Sequence, residues 1–176
     1  NSVAVGHEAV NLNTTASNNT AIGYQSLYSN TTGTLNVAVG HTALLSNTTA
    51  SNNTAVGHAS LIVNTTGADN AAFGFYSLLS NTTGSYNTAI GDQALRLNTT
   101  ASSNTAVGFQ SLYANTTGTE NTVVGTNGAG GANTTGQQNS AFGGDSFKSN
   151  TTGSYNTALG HSALFNNTTA SNNTAV

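Results

Sequence analysis

The chain contains no cysteine, proline, methionine or tryptophan, and only seven of its 176 residues carry a formal charge. Without cysteine there is no disulfide staple, no thiolate nucleophile and no sulfur ligand for a zinc or catalytic site. Two basic residues against five acidic ones give a net charge of −3. That balance cannot form the positive surface that phosphate backbones require, which argues against nucleic acid as a partner. What the chain has instead is 27 Asn, 31 Thr and 19 Ser, 77 residues in all. A composition this uniform means either disorder or an internal repeat, and the order of the residues decides for the repeat.

Variants of the string Asn-Thr-Ala-Val-Gly end at Gly6, Gly23, Gly40, Gly57, Gly74, Gly91, Gly108, Gly125, Gly143 and Gly160, spaced by seventeen residues eight times and by eighteen once. A second marker, Asn-Thr-Thr, begins at Asn13, Asn30, Asn47, Asn64, Asn81, Asn98, Asn115, Asn133, Asn150 and Asn167. Residues 1–176 therefore read as a single array in which each repeat stacks only on its neighbours. The array starts and stops inside a repeat, at Asn1 and Val176, and reads as a window of a longer chain. Seventeen residues are too few for a helical hairpin, and Asn, Thr, Ser and Gly are poor helix formers. Thr20 to Ile22 and Thr88 to Ile90 are β-prone, and the glycine that follows each allows a turn. The expected fold is all-β: a parallel β-solenoid, or β-roll, of about ten seventeen-residue coils. Two short strands per coil are expected, the second running through the Leu toward Asn-Thr-Thr, with coils about 4.8 Å apart.

Stacking turns equivalent positions into columns. The residue before the glycine is always large and apolar (Val5, Ile22, Val39, Val56, Phe73, Ile90, Val107, Val124, Phe142, Leu159), and the fourth after it nearly always so (Val10, Leu27, Leu44, Leu61, Leu78, Leu95, Leu112, Phe147, Leu164). These two columns are the expected interior. The fifth column carries Tyr28, Leu45, Ile62, Leu79, Tyr113 and Phe165 beside Arg96 and Lys148. Strand alternation points it outward, so it is an apolar stripe that wants a partner. The second residue before the glycine is Ala in nine coils and Val123 in the other. On the same alternation it faces away from the core, where a second chain can approach closely.

The string Asn-Ser-Val-Ala-Val-Gly at Asn1 to Gly6, with Asn-Thr-Ala-Ile-Gly and Asn-Thr-Ala-Val-Gly in later coils, resembles the head repeats of trimeric autotransporter adhesins. The resemblance implies a left-handed parallel β-roll, three identical chains side by side, and a sticky head on a bacterial surface. The longer stretch Asn19 to Gly33 is also similar to repeats of phage-type tail-fibre proteins and bacterial surface proteins that end in an endosialidase-type intramolecular chaperone. The coils here are longer than those of the adhesin heads, and neck, stalk, anchor and chaperone segments are absent from the sequence.

Several constellations invite sharper readings. His7, His41, His58 and His161 share the first column after the glycine with Tyr24, Phe75 and Phe109. His41 and His58 are expected to stack, but no carboxylate accompanies the column regularly, and a metal site needs a fixed second shell. Neither a metal nor a cofactor is expected. The aromatics in variable columns, Tyr24, Tyr28, Phe75, Tyr76, Tyr86, Phe109, Tyr113 and Tyr155, are candidates for adhesion because exposed rings stack on sugars or pack on a receptor. Interchain packing accounts equally well for Tyr28 and Tyr113, as for Leu45, Ile62, Leu79 and Phe165. Each Asn-Thr-Thr is formally a glycosylation acceptor, as are Asn18, Asn52, Asn166 and Asn172. The preferred role for the repeated Asn is an internal ladder. Residues 126–132 form an irregular coil with one extra residue and no Leu at the usual place. Its Gly128, Gly130 and Gly131 lack the spacing and the Lys of a phosphate loop, which leaves a bulged coil that opens first.

No Ser-His-Asp or paired-carboxylate set recurs, so no catalytic residues and no enzyme activity are expected. The expected function is mechanical and adhesive: an extracellular fibre segment on a cell or virion surface, self-associating as a homotrimer and touching a host-surface protein or glycan. One alternative is an ice-binding β-solenoid, since Thr columns can template water. Against it, the adjacent Thr of Asn-Thr-Thr are expected to face opposite ways, and the Thr before Ala gives way to Val37, Ala71 and Ser140. The other is a biofilm or sheath filament of single solenoids stacked end to end.

Overall fold

Each repeat makes one turn of a parallel β-solenoid with no helix in it. The computed structural model describes residues 1–176. Every coil contributes one three-residue strand: β1 (Val3–Val5), β2 (Thr20–Ile22), β3 (Val37–Val39), β4 (Thr54–Val56), β5 (Ala71–Phe73), β6 (Thr88–Ile90), β7 (Thr105–Val107), β8 (Thr122–Val124), β9 (Ser140–Phe142) and β10 (Thr157–Leu159). The two-residue β11 (Thr174–Ala175) closes the array. All eleven strands lie in chain order in one parallel sheet. Numbering each coil by the strand that opens it, the register advances by one repeat per coil, for example Val37 beside Thr54 and Ala38 beside Ala55.

The second expected strand does not form. The segment from the glycine to the Asn of Asn-Thr-Thr is a string of turns, and the buried Leu sits in it with a left-handed backbone, φ 53° at Leu27 and 49° at Leu78. The position two residues earlier, such as Gln25 at φ 49°, and the one before the second Asn, such as Leu35 at φ 61°, are left-handed too. Each costs roughly 1–2 kcal/mol of local strain for a residue with a Cβ. What offsets it is the ladder between coils. Of 113 backbone hydrogen bonds only 20 join the strands. Many of the others pair one coil with the next through the turns, as in Leu27 N–H to Ala43 O (2.9 Å), Ser29 N–H to Leu45 O (3.0 Å) and Gln25 N–H to His7 O (2.9 Å). Stacking satisfies the backbone around most of the circumference, although only three residues per coil are extended.

The interior differs from the sequence expectation by one residue of phase. Ala21, Ala38, Ala55, Ala72, Ala89, Ala106, Ala141 and Ala158 are fully buried, facing the Leu column. The larger residues beside them point outward: Val5 is 56 % exposed, Ile22 41 % and Phe142 41 %, while Val39, Val56, Val107 and Val124 are half-buried. The Ala column is thus core and no place for a second chain, and the residue before the glycine is surface. Strand alternation allows either phase, and the narrow lumen opposite a Leu admits only a methyl group.

The buried polar side chains of the interior are all paired. From Asn47 to Asn150 the Asn of each Asn-Thr-Thr is buried and its Nδ2 bonds twice: Asn81 Nδ2 donates to Asn64 Oδ1 (2.9 Å) in the preceding coil and to Gly84 O (2.9 Å) in its own. A second ladder runs through the Asn before each strand, where Asn87 N–H donates to Asn70 Oδ1 (3.0 Å) and Asn87 Nδ2 to Ala101 O (2.9 Å). These ladders carry the role expected for the repeated Asn. Asn30 to Asn150 of the Asn-Thr-Thr series are sealed from solvent, whereas Asn18, Asn52, Asn166 and Asn172 are exposed.

Candidate interaction surfaces

The outer face of the sheet is the largest candidate surface. Residues one before each glycine form an unbroken apolar column from Val5 to Leu159, one side chain per coil rise of about 4.8 Å. Its members range in size from Val to Phe, a variation that a close-packed column tolerates poorly and a surface column tolerates easily. The near-constant Ala beside it shows no such variation, a contrast that fits Ala inside and the larger residues outside.

The first column after the glycine lies two residues further on, no more than about 7 Å away along the chain. There His7, Tyr24, His41, His58 and Phe75 form a continuous stack, with successive centroids 5.5, 5.0, 5.1 and 5.3 Å apart and planes within 8–21° of parallel. The expected stacking of His41 on His58 is part of it. Rings in register at one coil rise are offset-stacked by geometry alone, and such pairs add about 0.5–1.5 kcal/mol each. Tyr24, Phe75 and Phe109 are exposed here. Beside them Tyr76 is half-buried, its ring 3.8 Å from that of Phe75.

The fifth column does face outward, as expected, but it largely packs along itself. Tyr28, Leu45, Ile62, Leu79 and Tyr113 are half-buried, and only Phe165 is exposed. Arg96 sits between rings: its guanidinium carbon is 5.5 Å from the Tyr76 centroid and 5.6 Å from that of Tyr113, and Nη1 donates to the Tyr113 hydroxyl. Lys148 donates to Asp145 and lies 5.8 Å from the centroid of Phe165. That hydrogen bond, with the Lys148 charge and a further hydrogen bond from Asn127, holds the Asp145 carboxyl below its ordinary value of 3.8, against a smaller opposing effect of desolvation. Tyr86 and Tyr155 stand exposed in a separate column, the one before the second Asn.

In the inner coils only the second Thr of each Asn-Thr-Thr is exposed, and the chain bends there instead of extending. Thr32, Thr49, Thr66, Thr83, Thr100, Thr117, Thr135 and Thr152 are exposed, as are Thr15 and Thr169 in the end coils. The preceding Thr is half-buried in the inner coils, its hydroxyl donating to the next coil's carbonyl, as in Thr65 Oγ1 to Thr82 O (3.1 Å). No family model, curated protein or solved structure matches the chain. The surfaces therefore have to be read from their own chemistry. No three His, Asp or Glu residues come together in a metal-holding group.

Proposed function

We propose that the chain is a segment of an extracellular fibre, a surface adhesin or tail-fibre shaft, in which three solenoids pack through the outer faces of their sheets and present a rod about 48 Å long. One observation supports this above the others: a column of ten apolar side chains from Val5 to Leu159 is left partly or largely exposed along the whole sheet. A contiguous exposed apolar stripe is the mark of an interface, and a repeat that advances by one coil presents the same stripe to identical neighbours at every level. The rod holds a binding tip away from its anchor, and the ring stack and the other exposed aromatics supply adhesive contacts along its sides. The resemblance of Asn1 to Gly6 to adhesin head repeats points the same way and adds the left-handed coil.

Sedimentation equilibrium tests the assembly. A species three times the 17.6 kDa chain is expected, and Ile90→Asp, which places a charge on the exposed stripe, is expected to give monomers with unchanged circular dichroism. A native chain that stays monomeric sinks the trimer, and end-to-end polymers one chain thick favour the sheath filament.

The exposed Thr rank favours a second reading, an ice-binding solenoid, because it repeats in all ten coils without a gap. Thermal hysteresis of the native chain that disappears in Thr83→Tyr would establish it.

A further inference from the structure

We propose that the notch opened at Gly131 is a binding slot for a single hexopyranose ring of a glycan. Along the fifth column each coil contributes a side chain that rests on its neighbours, until coil 8 contributes Gly131. Backbone bonds confirm its place in the column: Ala114 N–H donates to Gly131 O (3.0 Å) just as Ser80 N–H donates to Arg96 O (3.0 Å). The missing side chain leaves Tyr113 and Lys148 bounding the notch from the coils on either side, two coil rises or about 9.6 Å apart along the column. Subtracting the half-thickness of each wall leaves a gap about one ring thick. The cavity is about 510 Å³, bounded further by Gln110, Asn127 and Gly128.

The chemistry of the walls selects the occupant. Arg96, in the preceding coil, holds the Tyr113 hydroxyl and covers one side of the ring, so the other side is left to the slot. An aromatic face against the C–H face of a sugar is an apolar contact with fixed geometry. Around it stand the amides of Gln110 and Asn127 and the Lys148–Asp145 pair, which supply donors and acceptors suited to vicinal hydroxyls. Because Lys148 is already neutralised by Asp145, the slot offers no free cation to an anionic group. The glycine floor lets the ligand approach the backbone. This inference rests on the proposed function only in giving the adhesive role a ligand class.

Saturation-transfer difference NMR of the intact chain with methyl glucoside, galactoside, mannoside and N-acetylglucosaminide, and phenol as a control, tests it. At least one pyranoside is expected to gain signal on its ring C–H protons. Tyr113→Leu, a side chain the column already holds at Leu45 and Leu79, is expected to weaken binding about tenfold. Tyr28→Leu, whose neighbour in the next coil is Leu45, is expected to leave it unchanged. If Tyr113→Leu misfolds, Gln110→Ala on the surface decides, with a several-fold loss expected. Saturation of phenol alone, of no pyranoside, or equal binding by the native chain and the folded Tyr113→Leu or Gln110→Ala variant overturns the slot. A trimer that binds no sugar sinks the slot and keeps the fibre, and a monomer that binds sugar does the reverse.

Discussion

Coils 5 and 8 solve the same packing problem with different residues. Coil 5, from Ala71 to Asn87, puts Ala72 on the strand and Leu78 in the turn, both fully buried. Coil 8, from Thr122 to Asn139, is one residue longer and puts Val123 and Gly130 in those places. A Cβ on Gly130 would stand 3.2 Å from Leu112 Cδ2 and 3.3 Å from Val123 Cγ2, so the valine occupies space that a leucine fills elsewhere. The two exchanges compensate, and the lumen keeps its volume while the bulk moves across it. The extra residue is absorbed in the turn after Gly125, and the sheet runs through unbroken, Thr122 pairing with Ser140 and Val124 with Phe142. A solenoid thus accepts an insertion where the chain faces water and refuses one where it pairs.

The largest effect that separates the two coils comes from the same substitution made in each. Gly74 has φ +133°, and a Cβ there would lie 2.5 Å from the Gly91 carbonyl oxygen, so Gly74→Ala is expected to cost more than about 4 kcal/mol or prevent folding. Gly128, at φ +74° with nothing nearer than Gln110 O at 3.9 Å, is expected to lose only about 1 kcal/mol on the same change. Urea midpoints of the two variants make the comparison, and equal losses would erase it. Next in size is the lumen. Leu78→Ala is expected to cost about 3 kcal/mol, whereas Val123→Ala and Gly130→Leu, each destabilising alone, are expected to recover about 2 kcal/mol when combined. An additive double variant would mean that the two residues do not share a site.

Smaller differences follow from the looser turn. Amides of residues 126–132 are expected to exchange about tenfold faster than those of 75–81, and uniform protection along the rod would contradict it. The smallest concerns Asp145, whose folded carboxyl titrates below its ordinary value because of Lys148. The sign is that of a depressed acid: its contribution is complete above about pH 3.8, the ordinary value, and is lost as pH falls through the folded value. Thermal melts of Asp145→Asn and the native chain are therefore expected to converge as the pH is lowered, and a gap that widens in acid would reverse the assignment.

The repeat length, parallel stacking, Leu core and Asn ladders were legible in the residues, because a column of identical groups one coil apart has only one way to satisfy itself. The left-handed turns at Leu27 and its equivalents were not, since local preference assigns that conformation to Gly or Asn and the ladder between coils overrides it. The notch at Gly131 was visible only as an irregularity, for its walls come from three coils.

The amino-acid sequence by itself determined that this chain stacks upon itself, coil by coil, and which positions share a column. Tertiary structure alone decided which of two adjacent apolar columns turned inward. Alternation along a three-residue strand is satisfied by either phase, and only closure of the coil, with a lumen too narrow for more than a methyl group opposite Leu78, drives Ala72 inside and leaves Phe73 on the surface.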